Sequence, residues 1–203
     1  PLITHADHYK TNRAYGVGAY SKGEVLVEQL GAVMGTEVRD EAMRTYFKNW
    51  AFKHPGPNDF KREMERASGL ELDWYFQYMM HTTDAVDYAV ESVVNNEGTV
   101  TLELSRRGDM PMPQDVTLAW ENGSTTLVHI PLVMMRGHRT LADGEILAAD
   151  WPWVDVNYTL EVPSQGKVSA VTLDAEGLQA DVHRDNNAIT FDLDRDQEAR
   201  QSN

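Results

Sequence analysis

From residue 22 to about residue 80 the apolar residues recur at helical spacing, and from about residue 87 onward they alternate. The period therefore falls from about 3.6 to 2 near His81-Thr82-Thr83-Asp84. The switch predicts an α+β chain of two domains, a helical one over residues 1–84 and an antiparallel β-sandwich over 85–193. Residues 194–203 are polar and predict a frayed tail.

Within the helical part, Val25, Leu26, Leu30, Val33 and Met34 line one face of a first helix, which Gly35 can stop because glycine tolerates a left-handed backbone. A second helix is expected to turn Val38, Ala42, Met43, Tyr46, Phe47 and Trp50 inward. His54-Pro55-Gly56-Pro57 breaks the pattern, since proline lacks an amide donor and disfavours helix in the residue before it. Asn58 is the expected cap of a third helix that buries Phe60, Met64 and Ala67 and ends at Gly69. Asp73 to Met80 forms a short aromatic helix. Gly23 is read as a small residue that lets helices approach closely.

In the second part, Val100, Leu102 and Leu104 alternate with polar residues after the turn Asn95-Asn96-Glu97-Gly98. Val116, Leu118 and Trp120 do the same before Glu121-Asn122-Gly123-Ser124. Asn-Gly there is a hairpin signal, because both residues accept positive φ. Further strands are expected at 125–135, 154–162, 167–174 and 188–193, giving about seven in an antiparallel sandwich.

Composition narrows the function classes. The 203 residues carry a net charge of −14, and the excess sits in the second part, where 85–203 hold 8 basic and 20 acidic residues against 10 and 12 in 1–84. Such a balance argues against nucleic acid as a partner, since phosphate binding needs a cationic face. No stretch reaches the roughly 18 apolar residues of a membrane helix. The chain has no cysteine, which removes disulfides and thiolate chemistry but leaves the compartment open. A bacterial periplasmic or secreted location is preferred over a cytoplasmic one.

The segment Ala14-Tyr15-Gly16-Val17-Gly18-Ala19-Tyr20-Ser21-Lys22-Gly23 opens the first helix with a tyrosine at its threshold. It resembles the segment that follows the zinc site in zinc aminopeptidases of the aminopeptidase N family. Asn58-Asp59-Phe60 and Ser68 to Phe76 are similar to that family's later helices. Asp87-Tyr88-Ala89-Val90, Arg106-Arg107-Gly108-Asp109-Met110-Pro111-Met112-Pro113 and Asp181 to Asn187 resemble the sandwich that follows the catalytic domain. The resemblance implies that residues 1–84 are the C-terminal half of a thermolysin-like catalytic domain. It also implies that the intact protein is a zinc-dependent enzyme removing N-terminal residues from peptides, by attack of a zinc-bound water on the scissile carbonyl.

In that family zinc is held by two histidines and a glutamate, the histidines in a His-Glu-x-x-His helix. No His-Glu dipeptide occurs in these 203 residues. The expectation is a C-terminal piece of the enzyme, with zinc in the full-length protein, none bound by this chain, and no activity alone. The resemblance gives Tyr20 the role of oxyanion donor, because a phenol that titrates at about pH 10 keeps its proton at neutrality. Tyr15 is a candidate for lining the same cleft and contacting substrate. The partners expected are peptides and the remainder of the catalytic domain, and the helical face of residues 22–80 is expected to self-associate or form an exposed apolar patch.

Two other readings stand beside this one. One is a noncatalytic β-sandwich binding module with a helical spacer, taking carbohydrate on Trp120, Trp151 and Trp153 or taking a protein. The other is a degenerate homologue without zinc ligands. His5-Ala6-Asp7-His8 as a metal site is read as a polar loop instead, and Asp174, Asp181 and Asp185 do not follow the spacing of a recognised calcium loop.

Overall fold

The computed structural model describes residues 1–191. The tail assigned to 194–203, and the last two positions of the strand expected at 188–193, lie outside the described residues. α1 (Asn12–Gly16) continues through a π-helical turn (Val17–Ser21) into α2 (Lys22–Met34), followed by α3 (Thr36–Trp50), α4 (Pro57–Ser68) and α5 (Asp73–His81). Among the described residues eight strands follow: β1 (Tyr88–Asn96), β2 (Thr99–Arg106), β3 (Gln114–Trp120), β4 (Thr125–Ile130), β5 (Ile146–Leu147), β6 (Asn157–Pro163), β7 (Val168–Leu173) and β8 (Ala188–Thr190).

The strands form a three-stranded sheet ordered β1-β2-β6 and a five-stranded sheet ordered β5-β4-β3-β7-β8. All pairs are antiparallel except β4 with β5, which run parallel because β5 returns after a connection from 131 to 145. The alternation in β2 and β3 puts Val100, Leu102, Leu104, Val116, Leu118 and Trp120 in the core. At the hairpin between β3 and β4 only Gly123 takes a positive φ, of 82°. Asn122 contributes its side chain instead, whose Oδ1 accepts the Ser124 amide at 2.8 Å.

The helices bury less than their pattern suggests. α2 buries Leu26, Leu30, Val33 and Met34, and Gly35 stops it with φ 87° as expected. In α3 only Ala42 is fully buried, Val38, Met43, Tyr46 and Trp50 are half-buried, and Phe47 is 75% exposed. α3 packs against α2 and α4, with Val38, Met43 and Tyr46 against the core and Tyr46 edge to face with Phe60, so Phe47 is the residue of its expected inward face that the described residues leave exposed. Asn58 is not a cap: the cap of α4 is Gly56, whose amide donates to Asp59 Oδ2 at 2.8 Å. Pro57 starts the helix because its missing N–H costs nothing there. Ala67 is exposed. A Cβ at Gly23 would meet nothing within 4 Å, so that glycine serves no close packing.

Buried polar side chains join helices to sheets. Gln29 of α2 accepts the Ala180 amide at 2.8 Å and reaches Met79 Sδ at 3.5 Å. The fully buried Tyr75 of α5 donates to Leu26 O at 2.7 Å, and burial pushes its phenol pKa well above the ordinary value. Tyr75→Phe leaves the Leu26 carbonyl without that donor and is expected to lower unfolding free energy by about 0.5–1.5 kcal/mol in a urea titration. An unchanged midpoint would mean the hydroxyl contributes nothing net.

At the helix-to-sandwich junction, Asp181 accepts the Tyr88 amide at 2.9 Å and the His183 amide at 2.8 Å. Asp87 accepts from Asn186 Nδ2 at 3.1 Å and pairs with His183 Nδ1 at 2.7 Å. Burial acts to raise the Asp87 pKa, but the hydrogen bonds from His183 and Asn186 outweigh it and hold the group below its ordinary 3.8. The Asp87 hydrogen bond raises His183 above its ordinary 6.5. His183 thus adds stability that is fully present below 6.5 and lost as pH rises through its folded value, whereas Asp87 adds stability present above 3.8 and lost as pH falls through its folded value. The melting-temperature gap between the parent and His183→Gln should be widest between the ordinary values of 3.8 and 6.5 and narrow as pH rises beyond 6.5 through the folded value of His183. A gap independent of pH would show that the pair is not the cause.

Candidate active site

Tyr20 and Tyr15 stand on one unbroken helical rod running from residue 12 to residue 34. Its start is fixed by Thr11, whose side chain accepts the Ala14 amide at 3.1 Å. Along a regular α-helix two residues five apart point about 140° away from each other. Here the backbone widens to π geometry over Val17–Ser21, with the Lys22 amide bonded to the Val17 carbonyl five residues back. That extra residue per turn brings the Tyr15 and Tyr20 rings edge to face, 6.0 Å apart at 87°. Single π turns within α-helices are frequent at functional sites.

Behind the pair stands Tyr9, edge to face with Tyr15 at 5.6 Å and 79°. The Tyr9 ring covers the bare backbone of Gly18, where an added Cβ would lie 2.6 Å from its hydroxyl. The segment before α1 is itself tied to α5, since the Ile3 amide donates to the Met80 carbonyl at 3.1 Å. Lys22, one turn beyond, donates to the Thr82 carbonyl at 2.7 Å and so locks the start of α2 to the end of α5. Partial burial lowers the Lys22 pKa, and nearby Asp84 opposes that shift. Lys22 is a structural tether.

Tyr20 is 70% exposed and Tyr15 38%. Two clefts, of about 490 and 620 Å³, lie elsewhere. The first is between Gly31–Val38 and the loop around Arg139–Glu145, and the second is between α3 and α4. Tyr20 faces open surface, with neither cleft around it. Tyr9 and Gly18 were not singled out by sequence reasoning. The signal was the five-residue tyrosine spacing interrupted by two glycines, Gly16 and Gly18, at the very place where an α-helix would part the rings.

The residues here do not fit a zinc ion. Among the described residues the group of converging carboxylates is Glu65, Glu71 and Asp73, and the Lys61 ammonium already sits against Asp73 and 3.8 Å from Glu65. It offers no imidazole or thiolate to a metal that prefers nitrogen and sulfur. His5 and His8 flank a single 3-10 turn, where His5 Nδ1 accepts the Asp7 amide. Asp174 and Asp181 are occupied as structural acceptors, Asp174 by the Leu178 and Gln179 amides and by Arg184.

Nor do the three sandwich tryptophans form a stacking platform. Trp120 and Trp151 are buried, their indole N–H groups donating to Thr126 Oγ1 and the Asp155 carbonyl, both at 2.9 Å. Only Trp153 of the three is exposed.

Residues 2–81 match the Peptidase family M1 domain. Among curated proteins nothing matches the chain. Among solved structures, the crystal structure of Legionella pneumophila aminopeptidase A in complex with aspartic acid is similar in fold, at a TM-score of 0.55 and 15% identity. The similarity covers 81% of this chain and 18% of that one, so the chain spans under a fifth of that neighbour's length. The peptidase resemblance read from the sequence is borne out over the helical part, and the α+β layout with it.

Proposed function

We propose that this chain is part of a zinc-dependent aminopeptidase, and that Tyr20 donates the hydrogen bond that stabilises the oxyanion formed at the scissile carbonyl. The match of residues 2–81 to the Peptidase family M1 domain carries the reading. The zinc ligands are assigned to residues outside these 203, consistent with the absence of a His-Glu dipeptide and of a fitting donor set among the described residues. The wall facing Tyr20 is assigned there too, in keeping with its open surface.

In this reading the chain contributes one hydrogen-bond donor and its support. The phenol keeps its proton throughout and serves as a preorganised dipole where negative charge develops, which is where such donors act most strongly. Tyr15, edge to face with Tyr20, would lie beside the bound peptide. Substrates are peptides with a free N-terminus, and the isolated chain is inactive and prone to pair with itself through apolar side chains such as the exposed Phe47 and Phe52.

The test is aminoacyl-anilide hydrolysis by the complete protein with and without a chelator, alongside Tyr20→Phe. Activity that the chelator removes, and that the variant largely lacks, supports the proposal. Chelator-resistant activity, or a complete protein that neither hydrolyses the substrate nor binds zinc, overturns it.

A further inference from the structure

We propose that Tyr9 is a positioning residue for Tyr20, acting through Tyr15 to hold the exposed phenol in one orientation. The inference rests on the reading of Tyr20 as the oxyanion donor, and it assigns a role to a residue outside the helix that bears that donor.

Three observations carry it. First, Tyr9 is seated where only glycine permits: a Cβ at position 18 would be 2.6 Å from Tyr9 Oη, 2.9 Å from Cε1 and 3.0 Å from Cζ. The ring therefore lies directly on the π-helical turn that carries Tyr20. Second, the three rings form a continuous edge-to-face series, Tyr9 to Tyr15 at 5.6 Å and Tyr15 to Tyr20 at 6.0 Å. Such geometry is one of the two favoured for aromatic pairs and biases ring direction as well as distance. Third, the Tyr9 hydroxyl is buried with no hydrogen-bond partner among the described residues. A buried orphan hydroxyl is unfavourable. What Tyr9 supplies is accordingly the ring, not the hydroxyl.

The series has a fixed end and a free end. Tyr9 is wedged against backbone, whereas Tyr20 is 70% exposed and, without a ring beside it, would distribute over its staggered rotamers. An oxyanion donor must be placed before the charge develops, and small misplacements near the reacting centre are costly. Removing Tyr9 should therefore lower kcat and leave substrate binding alone.

The kinetic test uses the complete protein and compares Tyr9→Ala, Tyr9→Leu and Tyr9→Phe. Tyr9→Ala is expected to lower kcat roughly 3- to 30-fold with KM unmoved, Tyr9→Leu to do the same while keeping most of the buried volume, and Tyr9→Phe to restore kcat. The second readout needs no catalysis: 3-fluorotyrosine at position 20 of this chain, followed by fluorine NMR. Its resonance should move or broaden in Tyr9→Ala and Tyr9→Leu and stay in place in Tyr9→Phe. Parental kcat and resonance in both Tyr9→Ala and Tyr9→Leu would overturn the proposal, and so would a Tyr9→Phe as impaired as Tyr9→Ala. If instead Tyr20→Phe keeps full activity, it is the oxyanion reading that fails, and the fluorine measurement still decides whether Tyr9 orients Tyr20.

Discussion

Tyr20→Phe in the complete protein is expected to lower kcat about 100- to 1000-fold, with KM close to its parental value. The size follows from the proposed role, in which one preorganised donor is removed from the place where negative charge develops. The specificity follows from where Tyr20 sits. Its ring is 70% exposed and its hydroxyl bonds to nothing among the described residues, so phenylalanine keeps the contact with Tyr15 and disturbs no packing. Melting temperature should be unchanged, which separates lost chemistry from lost fold. A donor used only in the transition state changes kcat and kcat/KM together, whereas one that merely grips substrate changes KM. A kcat within about threefold of the parent would remove Tyr20 from the reaction.

Gly108→Ala is expected to destabilise the fold strongly. A methyl at that position would stand 2.3 Å from the Ala85 carbonyl oxygen and 2.6 Å from the Asp87 nitrogen, both main-chain atoms that cannot rotate aside. It would also part the bonds that wrap the turn onto the junction. The Arg107 and Gly108 amides both donate to the Asp87 carbonyl, at 2.7 and 2.9 Å, and the Met110 amide to Ala85 at 3.1 Å. Overpacking costs about 1–3 kcal/mol or more, and each weakened backbone bond adds about 0.5–1.5 kcal/mol. A total near 3 kcal/mol corresponds to roughly 6–12 °C in melting temperature for a chain of this size. Circular dichroism melting checks it, and a fall of less than about 2 °C would mean the junction yields. Since residues 85–88 also carry the bonds to Asp181 and His183, the loss should extend to the docking of residues 181–187.

Much of this architecture was legible because one hydrophobic face leaves a periodic trace. α2 reads from Leu26, Leu30, Val33 and Met34, and β2 from Val100, Leu102 and Leu104, since in each the buried face is covered by the same chain. α3 reads equally well as a helix, yet the burial inferred for Phe47 was wrong. Periodicity reports which residues share a face, and coverage depends on what packs there. Asn58 failed as a cap because Pro57 could begin the helix one residue earlier, with Asp59 closing back on Gly56. The parallel β5 is two residues long and has no period to detect. At the candidate site, Tyr20 and Tyr15 came from resemblance to known peptidases. Their mutual contact depends on a π turn that hydrophobic patterning does not encode, and Tyr9 reaches them from outside the helix.

The bond from Ala180 to Gln29 joins residues 151 apart in the chain. At about 5–20 residues per second, a ribosome needs roughly 8–30 s to travel that distance. For all that time α2, with the tyrosine-bearing turn at its start, has been made but lacks this anchor. The neighbouring ties through Asp181 and His183 come from the same late segment. The helical layer is thus synthesised well before the segment that secures it, an interval in which its apolar face is open to chaperones and to other nascent copies.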